Sequence, residues 1–262
     1  MKKIGSYAGC RVTLSANAGI SVMIGDKKIW VDALHDEKNR WYSTLTEQML
    51  EEMKESEAFC DPDIIVVTHG HSDHYSEELV KKAAFDYPDA IVLMPWRSEK
   101  PPETVSSETG RVITEMIKLP HEGEKDSKDS NYSCLITLSP SENENEFRIL
   151  ILGDTEIGSE MLCQKLEERG LISQGVSNGA NGLIDIVIAD YPWAAVTRGR
   201  KMLDEVICPG HLLIYHLPFE GDDIRGLRNM TERAISRFRN ISDIRLLKEF
   251  LQTESLIIGN IG

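Results

Sequence analysis

The run "DIIVVTHGHSDHY", Asp63 to Tyr75, constrains this chain more than any other stretch. Ile64 to Thr68 is an unbroken apolar and β-branched segment, the pattern of a strand buried on both faces of a sheet. Three histidines and an aspartate follow within six residues, His69 to His74, in a chain with seven histidines altogether. In an extended segment residues i and i+2 point to the same side, so His69 and His71 can reach one ion. Asp73 and His74 fall on the next turn, ahead of Ser76, which is suited to cap a helix running to about Phe85. Polar groups gathered where a buried strand ends occupy the place at which open α/β sheets put their sites. Imidazole and carboxylate donors without thiolate suit zinc, iron or manganese and leave the choice among them open.

The flanking sequence alternates between strands and helices. "RVTLSA", "GISVMI" and "KKIWVD" are short β-rich runs separated by "NAG" and "GDK", the latter suited to a hairpin turn. Thr44 to Glu57 reads as a helix, with Thr44 and Glu47 at capping-box spacing and Leu45, Met49 and Met53 on one face. "AIVLM" predicts the next buried strand and completes a βαβ unit. Further on, "VITEMI", "YSCLITL" and "FRILILGD" predict strands, with "SPSENENE" an acidic surface turn. "SEMLCQKLEERG" predicts a helix capped by Ser159 and stopped by Gly170. The Gly/Asn/Ser-rich loop "LISQGVSNGANG", a strand "LIDIVIAD", a short strand "EVICPG" and an Arg-rich helix over about Asp223–Arg239 follow. With no repeat, coiled coil or linker, the reading is one α/β domain over residues 1–262, made of two similar halves.

Composition excludes several classes. The longest apolar runs are about half a dozen residues, too short to span a bilayer. The start "MKKIGSYAGC" lacks the apolar h-region of a signal peptide. Five widely spaced cysteines (Cys10, Cys60, Cys134, Cys163, Cys208) with no CxxC pair fit reduced thiols, and the expectation is a cytoplasmic protein. A formal net charge of −14 disfavours nucleic acid as a partner. The series Arg225, Arg228, Arg233, Arg237, Arg239 reads as the solvated face of a helix. A small-molecule substrate is the expected partner, and self-association into a homo-oligomer is left open. There is no GxSxG elbow, Walker A loop or GxGxxG fingerprint.

"THGHSDH" resembles the HxHxDH signature of the metallo-β-lactamase superfamily, with agreement at all six positions. The hairpin "AGISVMIGDKKIWVD" is similar to that family's N-terminal strands, which end in an aspartate, here Asp32. In order along the chain, "KLPHEG" supplies a histidine after a strand (His121), "LILGDT" an aspartate closing one (Asp154), and "ICPGH" a late histidine (His211). The matches span roughly residues 10–216. The resemblance implies a four-layer αββα sandwich and two divalent metal ions, zinc foremost, with manganese or iron as alternatives. His69, His71 and His121 would hold one ion, and Asp73, His74 and His211 the second, with Asp154 bridging. His216 competes with His211 for the last position; otherwise it lies near the substrate or in the core. Asp73, Asp154 and His216 are the candidate catalytic residues, and His35 reads as structural.

The implied chemistry is hydrolysis by a hydroxide bridging the two ions, whose pKa they bring towards neutrality. The "NAGISV" hairpin and "GDT" strand look most similar to the branch containing ascorbate-6-phosphate lactonase, which suggests a small ester, lactone or phosphoester. Related branches act on phosphodiesters, in the manner of a phospholipase D or a nuclease. Arg198 and Arg200 are candidates for binding a substrate anion. A reading of another class is a metal-holding domain that senses or binds without turnover.

Overall fold

The computed structural model describes residues 9–36, 42–97, 101–108, 110–123, 131–140, 145–172 and 183–257. The chain opens with an antiparallel meander of β1 (Gly9–Leu14), β2 (Ile20–Ile24) and β3 (Lys27–Val31), as the β-rich runs predict. The "GDK" turn places Gly25 at φ +61°. Before β2, Gly19 packs so tightly that a Cβ would lie 2.8 Å from the Asp32 carbonyl oxygen, so only glycine fits there. Parallel strands β4 (Ile64–Val66) and β5 (Ile91–Leu93) extend the sheet. Helices α1 (Glu47–Glu55) and α2 (Glu77–Asp86) form the crossovers.

Ser76 caps α2, its hydroxyl accepting from the Leu79 N–H, as the sequence predicts. The cap of α1 differs: Thr46, not Thr44, accepts from the Met49 N–H at 3.2 Å. Leu45 is buried among Trp30, Met53 and Phe59, and the helix begins only after that anchor.

The second sheet begins with an antiparallel run of β6 (Glu103–Ser107), β7 (Gly110–Leu119), β8 (Asn131–Pro140) and β9 (Phe147–Ile151). Strands β10 (Ile186–Asp190), β11 (His211–Tyr215) and β12 (Ile244–Leu246) then add in parallel. Finally β13 (Thr253–Ile257) returns to the first sheet and pairs antiparallel with β1, covering an edge that would otherwise be open. Helices α3 (Glu160–Glu168), α4 (Tyr191–Ala195), α5 (Thr197–Lys201) and α6 (Leu227–Ile235) belong to this second half.

Strand alternation sorts the side chains into layers. Ile29, Val31, Ile64 and Val66 of one sheet meet Ile149, Ile151, Ile186, Ile188 and Leu213 of the other in a shared core. Their neighbours Trp30 and Ile65 pack with Met53, Val80 and Ala83 of α1 and α2. Leu150, Val187 and Ile214 pack with Leu162, Leu166, Trp193 and Ala234 of α3, α4 and α6. The result is the helix–sheet–sheet–helix sandwich that the resemblance implies. Burial on both faces is why these strands read as unbroken apolar runs.

"EVICPG" is not a strand. Met202–Ile207 forms a π-helical turn, closed by Cys208 at φ +47°. The Asp204 carboxylate fixes it by accepting from the backbone N–H groups of Arg239, Asn240 and Ile241. The strand starts later, at His211, and that shift moves the site. The Arg-rich helix is also shorter than expected, with Asp223 accepting from Leu227 N–H and Arg228 N–H at its start. Gly170, at φ +65°, stops α3 as predicted, whereas Ser159 makes no side-chain cap bond. The expected loop over 173–182 and the turn tip at 141–144 lie outside the described residues.

Ile188 is fully buried between the sheets. Ile188→Ala is expected to cost about 2–5 kcal/mol in urea unfolding; a loss under about 1 kcal/mol would contradict a tightly packed inter-sheet core.

Candidate metal centre

The carboxyl ends of β3, β4, β9, β10 and β11 converge; Asp190 is the last residue of β10, and Asp32, His69, Asp154 and His216 stand just beyond the other four. Asp154 lies at the focus. Its Oδ2 is 3.9 Å from His69 Nε2 and 3.6 Å from His121 Nε2. Its Oδ1 is 3.3 Å from His74 Nε2 and 3.6 Å from His216 Nδ1. The far side of the His216 ring faces Asp73, with Nε2 3.6 Å from Oδ2. Donor atoms of His69, His71, His121 and Asp154 lie within 4.8 Å of one another, as do those of Asp73, His74 and His216, and those of Asp154, Asp190 and His216.

Local structure sets this geometry. Gly153 takes φ +56°, and a Cβ there would meet Asn131 Oδ1 at 3.2 Å; glycine thus permits the turn that aims Asp154 inward. His121 is held against Asp154 by an antiparallel bridge to Thr155 and by the Glu122 N–H donating to the Asp154 carbonyl. Asp32 and His216 adopt left-handed backbone conformations, φ +51° and +59°, uncommon for residues with a Cβ and typical of sites held by their surroundings. The His216 N–H donates to the Asn17 carbonyl at 3.0 Å.

A second set of contacts aims the imidazoles. Asp32 is fully buried and accepts from Thr68 N–H, Thr68 Oγ1–H and His74 Nδ1–H. Because the Thr68 hydroxyl donates to Asp32, it accepts from His69 Nδ1–H at 3.0 Å. His121 Nδ1–H donates to the Glu122 carbonyl at 2.8 Å. In each ring Nδ1 is engaged and Nε2 turns to the centre, the arrangement that metal-ligating histidines use.

These donors fit a cation. Nε2 of His69, His74 and His216 and one oxygen each of Asp154 and Asp190 are buried and meet no partner in hydrogen-bond geometry. Buried polar groups normally find partners, and a cluster of exceptions made of imidazole and carboxylate atoms suits a bound cation. The electrostatics agree. Burial and the nearby His74 hold His69 well below the ordinary imidazole range. Burial opposes charge on His74, yet Asp154 and Asp32 outweigh it and raise His74 well above that range. Burial would raise Asp154 and Asp73, but adjacent histidines hold both carboxyls low. The centre thus favours positive charge where donors converge.

The structure brings together His69, His71, Asp73, His74, His121 and Asp154. It does not bring in His211, and that expectation is corrected. His211 begins β11, pairs in register with Ile186, and its Nδ1 lies 2.7 Å from Asp243 Oδ2. It sits a strand's length from the centre, ~13 Å at 3.3 Å per residue. His216, just past the carboxyl end of β11, stands with Asp73, His74 and Asp154 instead.

Arg200 is also corrected as an anion-binding candidate, since its guanidinium donates to the Ala194 and Ala195 carbonyls and to Thr197. Arg198 reaches the rim, donating to Glu122 beside His121 at 2.7 Å. His35 is buried, bonded to the Ala16 carbonyl, and pushed down to about 4 by burial. Two residues escaped the sequence reading. Asp190 closes an apolar run as Asp32 and Asp154 do, and that shared signature was available. Tyr42 stacks on His216 at 4.5 Å and 12°, and nothing in sequence marks it.

No protein-family profile and no curated protein matches the sequence. Solved structures do match in fold. The metallo-β-lactamase fold protein YhfI from Bacillus subtilis superposes with a TM-score of 0.51 at 12% identity, covering 95% of this chain and 100% of that one. An isothiocyanate hydrolase from Delia radicum gut bacteria gives 0.54 at 15% identity, with 95% and 100% covered. CmlA, a diiron β-hydroxylase from Streptomyces venezuelae, gives 0.50 at 11% identity over 95% of this chain; the chain spans about half that protein's length, 54%. The chain therefore has the metallo-β-lactamase fold. Among the described residues no helix is long and apolar enough to cross a membrane.

Two comparisons check the centre. His216→Ala is expected to lower the number of tightly bound divalent ions, whereas His211→Ala leaves it unchanged, as read by elemental analysis after dialysis. Asp32→Ala, which strands three buried donors, is expected to weaken metal binding roughly 10–100-fold; unchanged affinity would refute its orienting role.

Proposed function

We propose that the protein is a metal-dependent hydrolase acting on a small ester, lactone or phosphoester. Two divalent ions would be held, one by His69, His71, His121 and Asp154, the other by Asp73, His74, His216 and Asp154. The observation that carries this reading is the division of Asp154, one oxygen towards each group of imidazoles. When bound, such ions supply an acidified water and polarise the scissile bond. The chain's own residues hold the donors in position. Asp32 and Thr68 fix the rings of His74 and His69, and Tyr42 covers the His216 face. Burial keeps the Tyr42 phenol protonated, so it remains a hydrogen-bond donor at the rim.

The fold does not decide the reaction, since the neighbours include a hydrolase and a hydroxylase. The donor set supports hydrolysis through its clustered histidines and shared carboxylate. Zinc remains the first candidate, with manganese or iron as alternatives, and a cytoplasmic protein working on a diffusible substrate suits the acidic charge and unpaired cysteines.

The test is turnover by metal-loaded protein on p-nitrophenyl acetate, a panel of phosphorylated lactones, and bis(p-nitrophenyl) phosphate. Hydrolysis abolished by chelation, restored by added metal and lost in Asp154→Asn is expected. Cleavage of the diester alone would select the phosphodiesterase reading. Two bound ions without turnover on any substrate would favour a metal-holding sensor. Chelation is also expected to leave the far-ultraviolet circular dichroism native, because the inter-sheet core does not include the site; global unfolding would contradict this.

A further inference from the structure

Asp190 lies outside the HxHxDH motif and the other residues carried by the resemblance. It ends β10, in register with Tyr215 of β11, and so stands beside His216. Its side chain is 5% exposed, and Oδ1 meets no hydrogen-bond partner. It occupies the N-cap position of α4 yet makes no capping bond, so helix capping does not explain an aspartate there. One of its oxygens lies within 4.8 Å of donor atoms of both Asp154 and His216. Burial and the neighbouring Asp154 hold the Asp190 carboxyl well above the usual carboxylate range, so its charged form is costly there without a cation between the two. Asparagine would fill the same space without that cost.

Charge points the same way. Asp73, Asp154 and Asp190 bring three carboxylates to a centre whose imidazoles are oriented to bind as neutral donors. A single dication leaves the cluster negative; two leave it with one positive charge, which suits an anionic nucleophile or substrate.

We infer that Asp190 is an additional ligand of the second ion, alongside Asp73, His74, His216 and Asp154. This inference rests on the two-ion reading above. It gives the two positions different character. The first is rich in imidazole; the second carries three carboxylates and more donors than a tetrahedral ion accepts. Oxygen-rich sites of high coordination number suit manganese or ferrous iron better than zinc, so the second position selects those ions.

The test uses the full chain, stripped of metal and titrated with manganese or zinc under equilibrium dialysis with elemental analysis. Wild-type protein is expected to take two manganese ions per chain. Asp190→Asn should keep the first ion and bind the second at least about 10-fold more weakly, with the loss greater for manganese than for zinc. Asp190→Glu, which keeps the charge, should recover part of that loss. Metal-free Asp190→Asn should melt no lower than metal-free wild type, because asparagine fills the space of a buried carboxyl that makes no capping or other side-chain bond. A residue needed for structure would instead lower both stability and binding. Second-ion affinity within twofold of wild type in Asp190→Asn overturns the inference and leaves the two-ion reading intact. Loss of folding or a lower melting temperature in metal-free Asp190→Asn overturns it as well. Wild-type protein that takes fewer than two ions overturns the two-ion reading itself.

Discussion

Asp154 is a carboxylate enclosed by four imidazoles at 3.3–3.9 Å, and the remainder of the centre is arranged around the need to neutralise it. Desolvation makes a lone buried anion costly, and protonation of neighbouring histidines answers that cost only in part. Asp73 adds to the negative field, burial and Asp154 hold the Asp190 carboxyl well above the usual range, and Asp32 is already occupied by three donors. A bound metal cation would satisfy these groups together, through lone pairs the fold has already aimed inward.

Such a cluster persists because the scaffold is large enough to hold it. The left-handed conformations of Asp32, Gly153 and His216 sit immediately beyond strands whose side chains are buried on both faces. The strands fix where each turn begins, and the turns aim the donor side chains. Strain of this kind is tolerated where packing over-determines the backbone. Return of β13 to the first sheet ties the end of the described chain to its beginning, which helps keep the two sheets, and so the two halves of the centre, in register.

Much of this was legible from residues alone. The apolar run into His69, His71, Asp73 and His74 announced both a buried strand and a site at its end, and Asp154 carried the same signature. The last histidine was not legible, for a definable reason. The Pro-x-His setting of "ICPGH" favours His211 over its competitor His216, and "EVICPG" reads as the strand ahead of it. Asp204 in fact closes a π-helical turn there, the strand becomes His211–Tyr215, and the same rule then selects His216. Asp190 was overlooked although "IVIAD" repeats the pattern of "KKIWVD" and "LILGD". Tyr42 could not have been found, because its stacking depends on how a loop is placed and on no local pattern. Short strands β6, β12 and β13 were missed because their mixed polar sequences carry little alternation.

The fold is shared with proteins named for different reactions, so activity has to be argued from the side chains at the strand ends. The most direct measurement is an anomalous difference map from crystals grown with manganese or zinc. Two peaks flanking Asp154 are expected, one against His69, His71 and His121 and the other against Asp73, His74 and His216. A map with no peak there, or with density at His211 and Asp243 instead, would contradict the account.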